Sequence, residues 1–192
     1  MAFLTRNEIE ELGFKKVGEN ILISDKASIY NARNITLGSN VRVDDFCILS
    51  AGKSGIEIGN FVHIGAYSSL LGAEKITLED FVGVSLKVSI FSSSDDFMGY
   101  GMSNPTVPDK YKKVKSLPVL LKKHSLVGAH SVLLPGAILG NGVALGTMSV
   151  ASSELEDWNF YTGHPIKKIV RRSKKLLDKE LELIEEFAKV SL

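Results

Sequence analysis

Across most of this chain an aliphatic side chain returns at every sixth residue. Ile23, Ile29 and Ile35 open the pattern. Leu37, Val43 and Leu49 continue it, followed by Ile58, Ile64, Leu70 and Ile76, and by Leu78, Val84 and Ile90. After an interruption it resumes at Leu121, Val127, Leu133, Leu139 and Leu145. All are Val, Ile or Leu, although those types fill only 54 of 192 positions, so chance placement does not account for the run. Four residues beyond many of them stands a small or β-branched residue, as at Val41, Cys47, Val82, Ser125, Ala137 and Ser149. The residue directly after is often Gly or acidic, as at Gly38, Asp44, Gly65 and Gly128. A period of six matches neither a 3.6-residue helix nor the alternation of a half-buried strand. It suits short strands joined by tight turns, with two inward positions in each six. Three such strands make one triangular coil, and coils stack about 4.8 Å apart around a column of aliphatic ladders. The expected fold class is all-β, a parallel β-helix.

The spacing supports the stacking. Ile35-Thr36-Leu37, Ile56-Glu57-Ile58, Ile76-Thr77-Leu78 and Val119-Leu120-Leu121 read as one corner repeated, with successive separations of 21, 20 and 43 residues. The first two are a coil of about 18 with a small bulge, one bulge being Ala51 to Gly55; the third contains an inserted loop over 92–118, rich in Ser, Gly, Pro and charge. Long loops in compact domains are commonly functional. Both ends read as helical. Thr5 with Glu8 is a capping box, and Gly13 would stop a short first helix. From Ile166 onward, Ile169, Val170, Leu176, Leu177, Leu181, Ile184, Phe187 and Ala188 fall on one helical face. The expected organisation is a helical cap over 1–19, a β-helix over 20–165 and a C-terminal helix over 166–192.

Charge and composition exclude several function classes. Lys and Arg number 23, Asp and Glu 22, leaving a formal charge of +1, so no basic surplus points to nucleic acid or a membrane surface. The lone Cys47 excludes an internal disulfide and a cysteine-rich zinc site, and sits at an inward small position. No apolar run reaches the roughly 18–20 residues of a membrane span. The N-terminus turns acidic too soon for a signal peptide. A soluble cytoplasmic protein is expected.

The repeat resembles that of the hexapeptide-repeat acyltransferases. Two further segments carry the resemblance: Val127-Gly128-Ala129-His130-Ser131-Val132-Leu133-Leu134-Pro135-Gly136, and Gly163-His164-Pro165-Ile166-Lys167-Lys168, similar to the segment that closes the β-helix in that family. The resemblance covers about residues 20 to 172. It implies a left-handed β-helix, a homotrimer with active sites between subunits, and acetyl-CoA as acyl donor. The short first helix, the SSSDD loop and the NPTVP segment look most like the bacterial amino-sugar acyltransferases of surface-polysaccharide (lipopolysaccharide O-antigen) pathways, one type of which acts on dTDP-4-amino-4,6-dideoxyglucose. The acceptor implied is a small nucleotide-linked amino sugar.

Acyl transfer to an amine or hydroxyl needs a proton acceptor and donors for the tetrahedral oxyanion. Xenobiotic members of the family use a loop histidine. Here Asp95 stands at that place, beside Asp96. A carboxylate is a weak base toward a sugar hydroxyl but suffices to orient an amine, which favours an amino sugar. Both aspartates could equally brace the loop. His63, at an outward hexad position one coil below Gly83, is the histidine candidate for base or acceptor contact. His124 and His130 are six residues apart, on adjacent faces, and with His63 lack the spacing of a three-histidine zinc site, so no metal is expected. For the coenzyme, the resemblance points to Gly128, Gly146 and Thr147 along a groove of the late coils, whose backbone amides would hold the thioester. It also points to Pro165 near adenine, and to Lys168 and Arg171, flanked by Lys167 and Arg172, as phosphate partners. The leading reading is N-acetylation of a nucleotide-linked amino sugar. The alternatives are saccharide O-acetylation or xenobiotic acetylation, and a non-catalytic assembly β-helix.

Overall fold

In the computed structural model, which describes residues 2–190 and side chains as far as Phe187, the hexads wrap three parallel sheets around one core. Face one starts at Lys16–Val17 and runs through Ile35–Leu37, Ile56–Ile58, Ile76–Leu78, Val119–Leu121 and Ile138–Leu139 to Glu154–Leu155. Face two runs from Leu22–Ile23 through Arg42–Val43, His63–Ile64, Gly83–Val84, Leu126–Val127 and Ala144–Leu145 to Asn159–Thr162. Face three holds Ser28–Tyr30, Ile48–Ala51, Ser69–Gly72, Ser89–Phe91, Val132–Leu133 and Val150–Ala151. Both inward positions of the hexad are buried along the stack: Leu37, Val41, Val43, Cys47 and Leu49 are each 1% exposed or less.

Two expectations need correction at the level of elements. The four apolar tripeptides beginning Ile35, Ile56, Ile76 and Val119 do stack in register, but as flat strands of face one rather than as a corner. The corner is the turn that follows each. The β-helix also begins earlier than residue 20, because Lys16–Val17 already pairs with Ile35–Leu37. Ahead of it, helix α1 (Arg6–Glu11) carries the expected capping box between Thr5 and Glu8.

The corner between faces one and two explains how the C-terminus is held. Asn40, Phe61, Phe81, His124 and Trp158 all sit there in the left-handed region, with φ between 55° and 61°. That conformation costs a non-glycine residue about 1–2 kcal/mol. Ring stacking offsets the cost: Phe61 on Phe81 at 4.9 Å, Phe81 on His124 at 5.0 Å, and His124 to Trp158 at 6.4 Å between centroids. The one gap in the column is Gly142 (φ 62°), where a Cβ would enter the Trp158 ring.

Helix α2 (Leu176–Val190) lies on this column. Phe187 meets Phe61 edge-on at 5.3 Å. Glu180 is clasped by Lys123 and by His124, whose Nε2 is 2.8 Å from Oε2. Arg172 donates from Nη1 to the carbonyls of His124 and Gly142 at 2.9 and 3.0 Å. The helix therefore starts ten residues later than residue 166. Lys167–Arg171 instead pairs antiparallel with Asn159–Thr162, which satisfies the last strand's free edge. The expected apolar stripe is also split. Of that stripe Leu176 lines the hollow beneath the helix, joined by Leu183 from outside the expected set, while Leu181 and Ile184 are 63% and 51% exposed; Ala188 lies outside the described side chains. No helix among the described residues is long and apolar enough to cross a membrane.

Two outcomes follow. Gly142→Ala should lower unfolding stability by about 2 kcal/mol or more, since strain at positive φ adds to the clash with Trp158; denaturant unfolding with an unchanged midpoint would contradict this. Burial alone would raise the Glu180 carboxyl, but hydrogen bonds from Lys123 and His124 outweigh it and hold the group below its ordinary value of 4.5. Its contribution is thus present above that value and is lost as pH falls below it. Helix α2 should loosen on acidification, and Glu180→Gln should flatten that dependence in amide hydrogen exchange.

Candidate active site

On face two the inward residues Val43, Ile64, Val84 and Val127 alternate with two outward rows. One row reads Arg42, His63, Gly83, Leu126 in strict register. The other follows the inward residue on each coil: Asp44, Gly65, Ser85, Gly128, Gly146. Coil-to-coil backbone bonds fix these rows, so the side chains on them are placed by the hexad count itself.

His63 is built into a polar constellation. Its Nε2 lies 2.8 Å from Asp44 Oδ2, and Asp44 Oδ1 accepts from Arg42 Nε at 2.7 Å. Asp44 is 8% exposed, whereas the His63 side chain is half-exposed. Burial would raise the Asp44 carboxyl, yet hydrogen bonds from Arg42 and His63 prevail and keep it below the usual carboxylate value. Directly above His63 stands Gly83, where a Cβ would meet only the mobile Leu126 Cδ1 at 2.9 Å. Gly65 is side-chain-free for a harder reason: a Cβ there would strike the Leu86 amide and the Ser85 carbonyl carbon at 2.8 Å. Gly83 alone leaves a notch beside His63 and Ser85, because the space at Gly65 is already filled by the coil above.

The 92–118 loop leaves between face three and face one. A short antiparallel pair, Ser93–Ser94 with Lys115–Ser116, closes its base. Its two aspartates have different jobs. Asp96 spends both oxygens on the loop backbone, accepting from Met98 N and Gly101 N at 2.9 Å each; these bonds, Met98's first, lower its pKa. It is a brace, so the catalytic expectation for Asp96 is not supported by its contacts. Asp95 uses Oδ2 on Asn104 N at 3.1 Å, and its Oδ1 has no partner among the described residues. Asp95 lines an open cleft of about 500 Å³ with Phe97, Lys113 and Lys115. Phe97, Met98 and Tyr100 at the loop tip are 90%, 77% and 77% exposed. Asp95 and His63 do not meet within one chain, because they stand on different sides of the β-helix.

The expected coenzyme residues divide. The amides of Gly128 and Gly146 are committed to Leu145 O and Tyr161 O, both at 2.7 Å, so they cannot hold a thioester. A Cβ on Gly128 would lie 2.6 Å from Thr147 N, and one on Gly146 2.5 Å from Thr162 Oγ1, so close stacking already requires both glycines. Thr147 is exposed at a corner and stays outside the coil-to-coil ladder. Pro165 and Arg171 are exposed. Lys168 is paired with Glu156 at 2.7 Å, and Arg172 is engaged with His124 and Gly142, so the expected basic cluster is only partly free. His164 is exposed.

No family model matches the chain. It is 47% identical over 180 residues to the dTDP-4-amino-4,6-dideoxy-D-glucose acyltransferase of Escherichia coli, covering 94% of both proteins. The chain belongs to that acyltransferase family. AntD, an N-acyltransferase from Bacillus cereus solved with dTDP-4-amino-4,6-dideoxyglucose and coenzyme A, superposes with a TM-score of 0.93 at 43% identity, covering 96% of this chain and 98% of AntD. A hexapeptide-repeat acetyltransferase from Vibrio cholerae, solved with acetyl coenzyme A, shares the fold at 12% identity, with a TM-score of 0.61 over 88% of this chain and 77% of that protein.

Sequence reasoning missed Asp44 and Ser85 as candidate site residues. Asp44 is the acidic hexad position one coil below His63, and counting coils on both rows would have found it.

The family's chemistry releases a free thiol, and Cys47 will not confuse that signal. The thiol is buried, its Sγ sits 3.2 Å from Gly65 O, and burial pushes it up to about 11. The native protein should take up no Ellman's reagent at pH 8, and one equivalent once unfolded.

Proposed function

We propose that this protein transfers an acyl group from acyl-CoA, acetyl-CoA first among donors, to the amine of a dTDP-linked 4-amino-4,6-dideoxyglucose. The product would serve surface-polysaccharide synthesis in the cytoplasm. The observation that carries the reading is a pair of residues. AntD has been solved with substitutions at a serine and at an aspartate ten residues further on. Ser85 and Asp95 are the single Ser–Asp pair in this chain with that order and spacing. Ser85 borders the notch on face two, and Asp95 is the loop carboxylate with an oxygen to spare.

The chemistry fits an amine. An ionised carboxylate orients an amine or ammonium by accepting its hydrogen bonds, but is a poor base toward a hydroxyl. Because Asp95 and the notch stand on different sides of one chain, a site that uses both needs a second copy. This supports a homotrimer in which one protomer's loop lies over its neighbour's face two. AntD has also been solved with 3-hydroxybutyryl-CoA, so the donor test includes that longer acyl group.

The decisive measurement is thiol release from acetyl-CoA and from 3-hydroxybutyryl-CoA with the dTDP-4-amino sugar and with its 4-hydroxy counterpart. Release with the amine alone is expected; equal release with the hydroxyl sugar would overturn the N-acyl reading. Asp95→Asn should lower kcat/KM by about 10- to 100-fold, and a fully active variant would remove Asp95 from the site.

A further inference from the structure

The His63–Asp44 pair has the architecture of an oriented base rather than of a surface ion pair. Asp44 is almost fully buried and both its oxygens are engaged, one by Arg42 and one by His63. An ionised carboxylate only accepts hydrogen bonds, so the ring nitrogen beside it, Nε2, must be the one carrying hydrogen. In the neutral imidazole that leaves the Nδ1 lone pair unprotonated. The half-exposed ring is within reach of a small molecule, and its neighbours on the next coil are Gly83 and Ser85. The strand spacing puts the His63 and Ser85 Cα atoms about 8 Å apart across the glycine notch, room for an amine nitrogen between the side chains.

We propose that His63 Nδ1 accepts the proton lost by the acceptor amine, and that Asp44 is the positioning residue that fixes the tautomer and angle of the ring. This deepens the amino-sugar reading and rests on it. The amine nitrogen attacks the thioester carbonyl carbon and a C–N bond forms. The surplus N–H proton passes to Nδ1, and the C–S bond breaks. The imidazolium then returns the proton to the departing CoA thiolate, so free thiol and neutral imidazole are restored. Asp95 orients the amine, while His63 carries the proton.

Arg42 and Asp44 come from the coil below, with Asp45 next along, itself held by Ser24 and Lys26. The coil above brings Gly83 and Ser85, neither of them titratable in this range.

The test uses the full-length protein and the thiol-release assay. Wild-type release with the dTDP-4-amino sugar comes first, since its absence would remove the N-acyl reading itself. Given release, His63→Asn should lower kcat/KM about 100-fold at pH 7 with KM for the amino sugar nearly unchanged. Activity within twofold of wild type, with the same pH profile, would overturn the inference alone. Asp44→Asn should lower kcat about tenfold. In ¹⁵N-histidine spectra, the wild-type His63 should show hydrogen on Nε2 and a bare Nδ1, and Asp44→Asn should give a mixture. That signature is independent of turnover and survives any modest loss of stability. A wild-type ring carrying its hydrogen on Nδ1 would also overturn the assignment.

Discussion

The backbone hydrogen bond from each coil to the next is the interaction on which this molecule depends. Gly38 N donates to Ile58 O and Gly59 N to Leu78 O, both at 2.7 Å, and Gly128 N to Leu145 O at the same distance. Such bonds run the length of the stack and leave no freedom in register. A slip by one residue would turn every buried aliphatic outward. Every outward residue is therefore held at a place set by its count in the hexad. That rigidity is what lets residues 19 and 20 apart in sequence, such as Asp44 with His63 or His63 with Gly83, act as neighbours.

The same bonds restrict what the surface can offer. Strand amides of the late coils are already used, so a bound molecule on this face must find side chains, corner groups or a place where a side chain is missing. Gly83 is such a place. Gly65, Gly128 and Gly146 look alike in sequence but are explained by coil-to-coil contact. Glycine in a hexad repeat is thus a poor marker of a ligand groove unless one asks what its missing side chain would have touched.

The fold was legible because one inward position in six is enough to declare a stack, and the inserted loop was legible because it broke the count. The C-terminus was misread for a physical reason. Ile169 and Val170 fit a helical period, but the segment lies beside the open edge of Asn159–Thr162, and closing that edge outweighs a weak amphipathic pattern. Glu180 likewise looks like a surface charge on a helix, yet it is the residue through which the helix grips Lys123 and His124. For the proposed site, His63 and Asp95 were candidates by residue type, but Asp44 was hidden among the other hexad acids. Which lysines and arginines are free also depended on pairing that sequence does not display, as with Lys168 and Arg172.

The single chain leaves apolar side chains uncovered at two places. Phe97, Met98 and Tyr100 project from the loop with little packing, and Leu181 and Ile184 face outward from helix α2. Large exposed apolar groups clustered at two places cost solubility unless something covers them. The loop springs from the side of the β-helix opposite to the notch it would need in order to bring Asp95 to an acceptor held beside Ser85. One arrangement answers both difficulties: the tip of one loop packs on a second copy of the chain, burying its aromatic residues while delivering the carboxylate. In the proposed oligomer the exposure of the tip and the separation of the two halves of the site would have a common cause: each protomer would carry half a site and the surface that completes its neighbour's.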